Sequence, residues 1–107
     1  MGDQNVETQA AKEPPRPDAA QLAELDHEID QISARATAVN ASLDNLQRDQ
    51  NARGMHLRGD IVATQQRMQA YMGKAQSALQ AQEIDGAKKY LDLAETELGK
   101  IEKFLGH

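Results

Sequence analysis

Residues 22–46 read LAELDHEIDQISARATAVNASLDNL, and the reading of this stretch decides the fold. Within it Leu22, Leu25, Ile29, Ile32, Ala36, Val39, Leu43 and Leu46 recur at alternating intervals of three and four residues. On a helix of about 3.6 residues per turn those positions share one side, as the a and d positions of heptads do. The positions between them are mostly acidic, amide, hydroxyl or alanine, so the other side faces water. The stripe is narrow and its period is close to 3.5. That favours packing against other helices with a left-handed supercoil over burial in a broad globular core.

Upstream, Asp18 follows Pro17 and precedes Gln21 by three residues, the arrangement of a capping box, so a helix is expected to begin there. Residues 1–17 contain Pro14, Pro15 and Pro17 and a single aliphatic side chain larger than alanine, Val6; they read as an acidic, disordered tail. Residues 18–107 form one helical domain.

Downstream, the seam phase continues through Gln50, Arg53 and Leu57, but its residues turn polar and Gly54 and Gly59 appear. A break is expected there, with Gly54 as a left-handed helix terminator and Asp60 capping a second helix from Ile61. Ile61, Thr64 or Gln65, Met68, Met72, Ala75 and Leu79 give that helix its apolar side. Glu83-Ile84-Asp85-Gly86 reads as a short connection with Asp85 as the next N-cap, and Ala87, Leu91, Ala94, Leu98, Ile101 and Leu105 mark a third helix ending at Gly106. The expected fold is all-α: helices at about 18–53, 60–82 and 85–105 forming a coiled-coil or helical bundle with a C-terminal antiparallel hairpin. The alternative is one long helix over 18–82 folded back by 85–105.

The hairpin carries a resemblance. Ala75, Ala78 and Leu79, followed by Ala87, Leu91 and Ala94, stand at the spacing of a tetratricopeptide-type helical hairpin, so Tyr71 to Leu98 resembles that family without its tryptophan, its terminal proline or a second copy. The resemblance implies close helix packing and protein binding. The stretch Ala94 to Gly106 is similar to the tails of uncharacterised small bacterial helical proteins, a likeness that implies no activity.

Composition excludes several function classes. The chain has no cysteine, which removes disulfides, thiol catalysis and thiolate metal sites. A net charge of −5 and three aromatic residues argue against nucleic-acid binding, to which only Arg48, Arg53 and Arg58 run counter. Its eight acids against two bases in residues 1–30 place the acidity at the N-terminal end. No run approaches the ~20 apolar residues that span a bilayer, so a membrane link is expected only through a processed anchor. Met1-Gly2 opens like a myristoylation motif, but Val6 stands where Ser or Thr belongs. The sequence leaves the compartment open between the cytoplasm and, if a signal peptide has been removed, the bacterial periplasm or envelope.

Chemistry-bearing residues are scattered. Glu24 and His27 have the Glu-x-x-His spacing of di-iron bundles, in one copy and at outward positions, which reads as solvated surface. His56 falls in the turn and His107 at the end, with no nucleophile to serve, and Glu95 with Glu97 reads as a charged helix face. Arg58-Gly59-Asp60 spells an integrin-recognition tripeptide, which chance explains. Met68, Tyr71 and Met72 form a soft apolar patch, read as core against the third helix, where Tyr90 and Leu91 should lie close to it, or, secondarily, as a partner groove. No enzyme, metal or cofactor is expected. The functional expectation is a scaffold or adaptor that self-associates or binds another helical protein through the seam Leu22, Leu25, Ile29, Ile32, Val39, Leu43 and Leu46. The alternative is a bacterial envelope spacer. Because the first helix outruns the other two, part of its seam is expected to pair with another chain.

Overall fold

A computed structural model describes residues 19–106 of the chain; the proposed Asp18 cap and tail lie outside them. The described residues form three helices: α1 (Ala19–Ala52), α2 (Gly59–Gln80) and α3 (Ile84–Leu105). There is no strand among the described residues, and helices 18–53, 60–82 and 85–105 are each present to within two residues. The long-helix alternative is set aside by the turn at 53–58.

Each helix ends for an identifiable reason. After α1, Gly54 has φ +77°, its N–H donates to the Asn51 carbonyl at 3.0 Å, and the Met55 N–H donates to the Gln50 carbonyl at 2.7 Å. This pair of bonds is a Schellman motif, which satisfies orphan carbonyls and turns the chain back. After α2 the same pattern recurs: Gln82 donates to Leu79 at 2.9 Å and Glu83 to Ala78 at 2.8 Å, with Gln82 itself at φ +62°. Gly106, at φ +83°, closes α3.

The helix starts differ from expectation. Neither Asp60 nor Asp85 is an N-cap; the cap positions are Arg58 and Glu83, without side-chain capping bonds, and each aspartate lies inside the first turn. There its charge suits the positive end of the helix dipole without having to reach a specific amide.

The bundle is up-down-up. Asn40 on α1 accepts a hydrogen bond from Gln65 on α2 at 2.7 Å, and Ala36 lies beside Met72 further down, so the two run antiparallel. Leu25 of α1 lies near Lys88 of α3 and Ile32 near Leu91, while Arg35 reaches Glu102, so α1 and α3 run parallel. α2 and α3 make the closest backbone approach, because Ala75, Ala78, Ala87 and Ala94 present only methyl groups between them.

This arrangement covers the seam. Leu25, Ile29, Ile32, Ala36, Val39 and Leu43 are all buried by α2 and α3, Val39 to 0 % exposure, and only Leu22 and Leu46 at its two ends are half-buried. Within the single chain, therefore, no seam position from Leu25 to Leu43 is left uncovered. α1 is ~51 Å long against ~33 Å for each partner helix, but its buried stretch from Leu25 to Leu43 spans only ~27 Å. The last turns of α1, residues 47–52, are exposed apart from half-buried Gln50 and overhang the hairpin, and the 53–58 turn brings the chain back to bury Leu57 and Ile61. The apolar ribbon is shorter than the helix that bears it.

Candidate functional site

With the seam occupied, the chemistry of the surface lies in the side chains that ring the core. Arg35, half-buried on α1, donates from Nε to Glu102 Oε2 at 2.9 Å, from one terminal nitrogen to Glu102 Oε1 at 2.6 Å, and from the other to Glu95 at 3.2 Å. The Glu102 hydrogen bond raises the guanidinium pKa above its ordinary value, against a smaller opposing effect of burial. On the opposite side of α3, Glu97 accepts from Arg67 Nε at 3.0 Å and Lys100 Nζ at 3.1 Å. Burial pushes the Glu97 carboxyl up, but the hydrogen bonds from Lys100 and Arg67 together outweigh it and hold it below the usual glutamate range. Both are ties between helices, with the donors and acceptors already consumed by one another.

The sequence candidates for chemistry stay apart. Glu24 and His27 are exposed on α1, and His56 is exposed in the turn at the far end of the bundle. Among the described residues no group of three potential metal ligands comes together, and no helix is long and apolar enough to cross a membrane. Glu95 and Glu97 diverge, one toward Arg35 and the other toward Arg67. Within the tripeptide at 58–60, Arg58 and Asp60 pair with each other at 2.6 and 3.0 Å, and Arg58 also covers the Phe104 ring at 5.4 Å. That pairing lowers the Asp60 pKa and raises that of Arg58. The two groups an adhesion receptor would use are therefore bound to each other on a helix start.

Of the soft patch, Met68 and Met72 are core and only Tyr71 reaches the surface, half-buried. Tyr71 stacks on Tyr90 of α3, with ring centroids 6.4 Å apart and planes 23° from parallel. Lys74 and Lys89 each bring an ammonium over the Tyr90 ring, at 5.4 and 5.3 Å, and neither has an ion pair among the described residues. Beside this cluster runs a shallow groove floored by Ala70, Gly73 and Ser77 on α2 and by Ala81 at its C-cap, with Tyr90 along one wall and Glu83 at the turn. The expected closeness of Tyr90 to this patch is found in the Tyr71–Tyr90 stack, whereas Lys74 and Lys89 carry no sign of their place over the Tyr90 ring. A signal for the groove was present: Gly73, Ser77 and Ala81 step by four along α2 to its C-cap.

No protein-family model, curated protein or solved structure matches this chain. The tetratricopeptide likeness accordingly rests on the residues of Tyr71 to Leu98 alone.

Proposed function

We propose that the chain is a non-enzymatic helical interaction module that holds a helix of another protein on the outer face of the α2–α3 hairpin. The observation that supports this reading is the groove beside Tyr90. Small side chains at Ala70, Gly73, Ser77 and Ala81 admit a second helix close to the α2 backbone, and these positions are exposed. The half-buried Tyr71 and Tyr90 rings add apolar area with polar tips, as contact surfaces commonly do. Lys74 and Lys89 would take carboxylates from the partner, and Glu83 at the turn would take a base, which fixes the partner's direction. The occupant is therefore an amphipathic helix, acidic along most of its contact edge.

The test compares capture of proteins from the native host by the intact chain and by a Gly73→Arg, Ser77→Arg variant. Both substitutions fall on exposed helix positions, so circular dichroism should report the same helicity and nearly the same melting. The reading expects a protein retained by the parent and depleted at least about tenfold by the variant. Equal retention of every protein by both would reject the groove as the contact surface.

A further inference from the structure

The turn at 53–58 joins two helices whose buried positions form one series. Leu43, Leu46 and Gln50 on α1 lead through Arg53 and Leu57 to Ile61, Thr64 and Met68 on α2, always by steps of three or four. The seam phase would therefore be kept, with Gln50 and Arg53 as its polar middle, if the turn were helical. The turn itself is held by local bonds more than by packing: the Schellman pair closes it, a Cβ at Gly54 or Gly59 would meet nothing within 4 Å, Met55 is 46 % exposed, and of residues 53–58 only Leu57 is buried. The closed form also leaves Oε1 of Gln50 buried without a hydrogen-bond partner, which disfavours it.

We propose that α1 exchanges between two copies of this chain. The 53–58 turn straightens, α1 and α2 continue as one helix, and the seam of each copy lies on the other copy's α2–α3 hairpin. The hairpin is the unit that stays intact, since its helices make the closest approach and its own turn is tight. The core contacts that α1 makes with the hairpin in the closed bundle are then remade between copies, which is why exchange needs no new complementary surface. The pairing of Asn40 with Gln65 sets the antiparallel register, whose midpoint falls between Ala52 and Arg53. The two copies of Arg53 therefore meet at the two-fold axis. Their repulsion, with the left-handed preference of Gly54, holds the equilibrium toward the closed bundle.

The test uses the full-length chain and sedimentation at increasing concentration. The parent is expected to be monomeric when dilute and to form a dimer slowly when concentrated, because exchange passes through an opened bundle. Gly54→Ala removes the residue that tolerates the turn and improves the long helix, and raises the dimer association constant by about a hundredfold. Arg53→Leu, which leaves the turn glycine in place, shifts the balance the same way. Insertion of four Gly-Ser residues after Gly54 interrupts the long helix and restores the monomer. Asn40→Cys with Gln65→Cys, added to the Gly54→Ala chain and joined by a short thiol crosslinker, gives a covalent dimer if α1 is exchanged. Crosslinks wholly within single chains in a dimeric sample would overturn the exchange, and would leave association through the groove as its explanation. Monomers alone from both hinge variants would overturn it as well.

Discussion

The Arg35 guanidinium faces the Glu102 carboxylate edge to edge, with two near-parallel hydrogen bonds at 2.6 and 2.9 Å that tie α1 to α3 across 67 residues of sequence. Arg35 is 38 % and Glu102 22 % exposed at the side chain, so the pair is screened only in part. A fork of this kind depends on the planar guanidinium, and lysine supplies one point charge in its place. Arg35→Lys should lower unfolding free energy by about 0.5–1 kcal/mol. A double-mutant cycle with Glu102→Gln, followed in urea, should return a coupling of similar size. Strict additivity of the two substitutions would show that the pair contributes nothing measurable.

Glu97 links acidity to stability. Its folded carboxyl lies below the ordinary glutamate value of ~4.3. A depressed folded value means that its contribution is fully present above that range and is lost as pH falls through the folded value. Glu97→Gln should therefore be less stable than the parent by about 1–2 kcal/mol at pH 7, through loss of charged hydrogen bonds from Arg67 and Lys100. The gap should close below pH ~4. Urea titrations of both proteins at several pH values check it; a gap independent of pH would disprove the linkage.

Much of this fold was legible because α1 declares itself twice, in the spacing of Leu25, Ile29, Ile32, Val39 and Leu43 and in the glycine that stops it. Gly54 was readable because a left-handed residue after a polar-turning seam has few alternatives to glycine. Gln82 was not: it takes the same conformation with a side chain that sequence rules do not associate with it. The capping aspartates were misplaced for a related reason, since Asp60 and Asp85 satisfy a preference for acids in the first turn as well as they would satisfy a cap. The cover that the chain itself gives the seam was also not legible. Helix length was used as the measure of unburied ribbon, whereas the overhanging residues 47–52 are polar apart from alanine and need no cover. Tyr90 was expected near Tyr71, but the two lysines over its ring were not legible, because Lys74 and Lys89 come together on Tyr90 only once the hairpin closes.

Two backbone substitutions should stabilise the chain. Gln82 holds φ +62° in a Schellman turn, a conformation glycine adopts without the clash a Cβ brings, so Gln82→Gly should add about 0.5–1 kcal/mol. Gly99 lies inside α3 with nothing within 4 Å of an added Cβ, and Gly99→Ala should add a similar ~0.5–1 kcal/mol from helix preference. Melting temperatures of the single and double variants provide the measure, and the effects should add because the positions share no contact. A loss of stability at Gly99→Ala would mean that α3 bends or packs there in a way the structure does not contain.

The covering of the seam makes its own prediction about Ile32, which is 5 % exposed beneath α2 and α3. Ile32→Asp places a carboxylate where the closed bundle offers apolar neighbours, and the loss should exceed about 3 kcal/mol, a large part of the stability of a domain this small. The single chain should lose cooperative unfolding at every concentration, including those too dilute for association. Leu22→Asp, at the half-buried end of the same stripe, should cost far less, under about 1.5 kcal/mol. If the seam served only to join separate chains, the order of effects would differ: Ile32→Asp would yield a well-folded monomer with native helicity and a sharp urea transition. Dilute circular dichroism of the two variants distinguishes the cases, and a native-like Ile32→Asp chain would remove the seam from the intramolecular core.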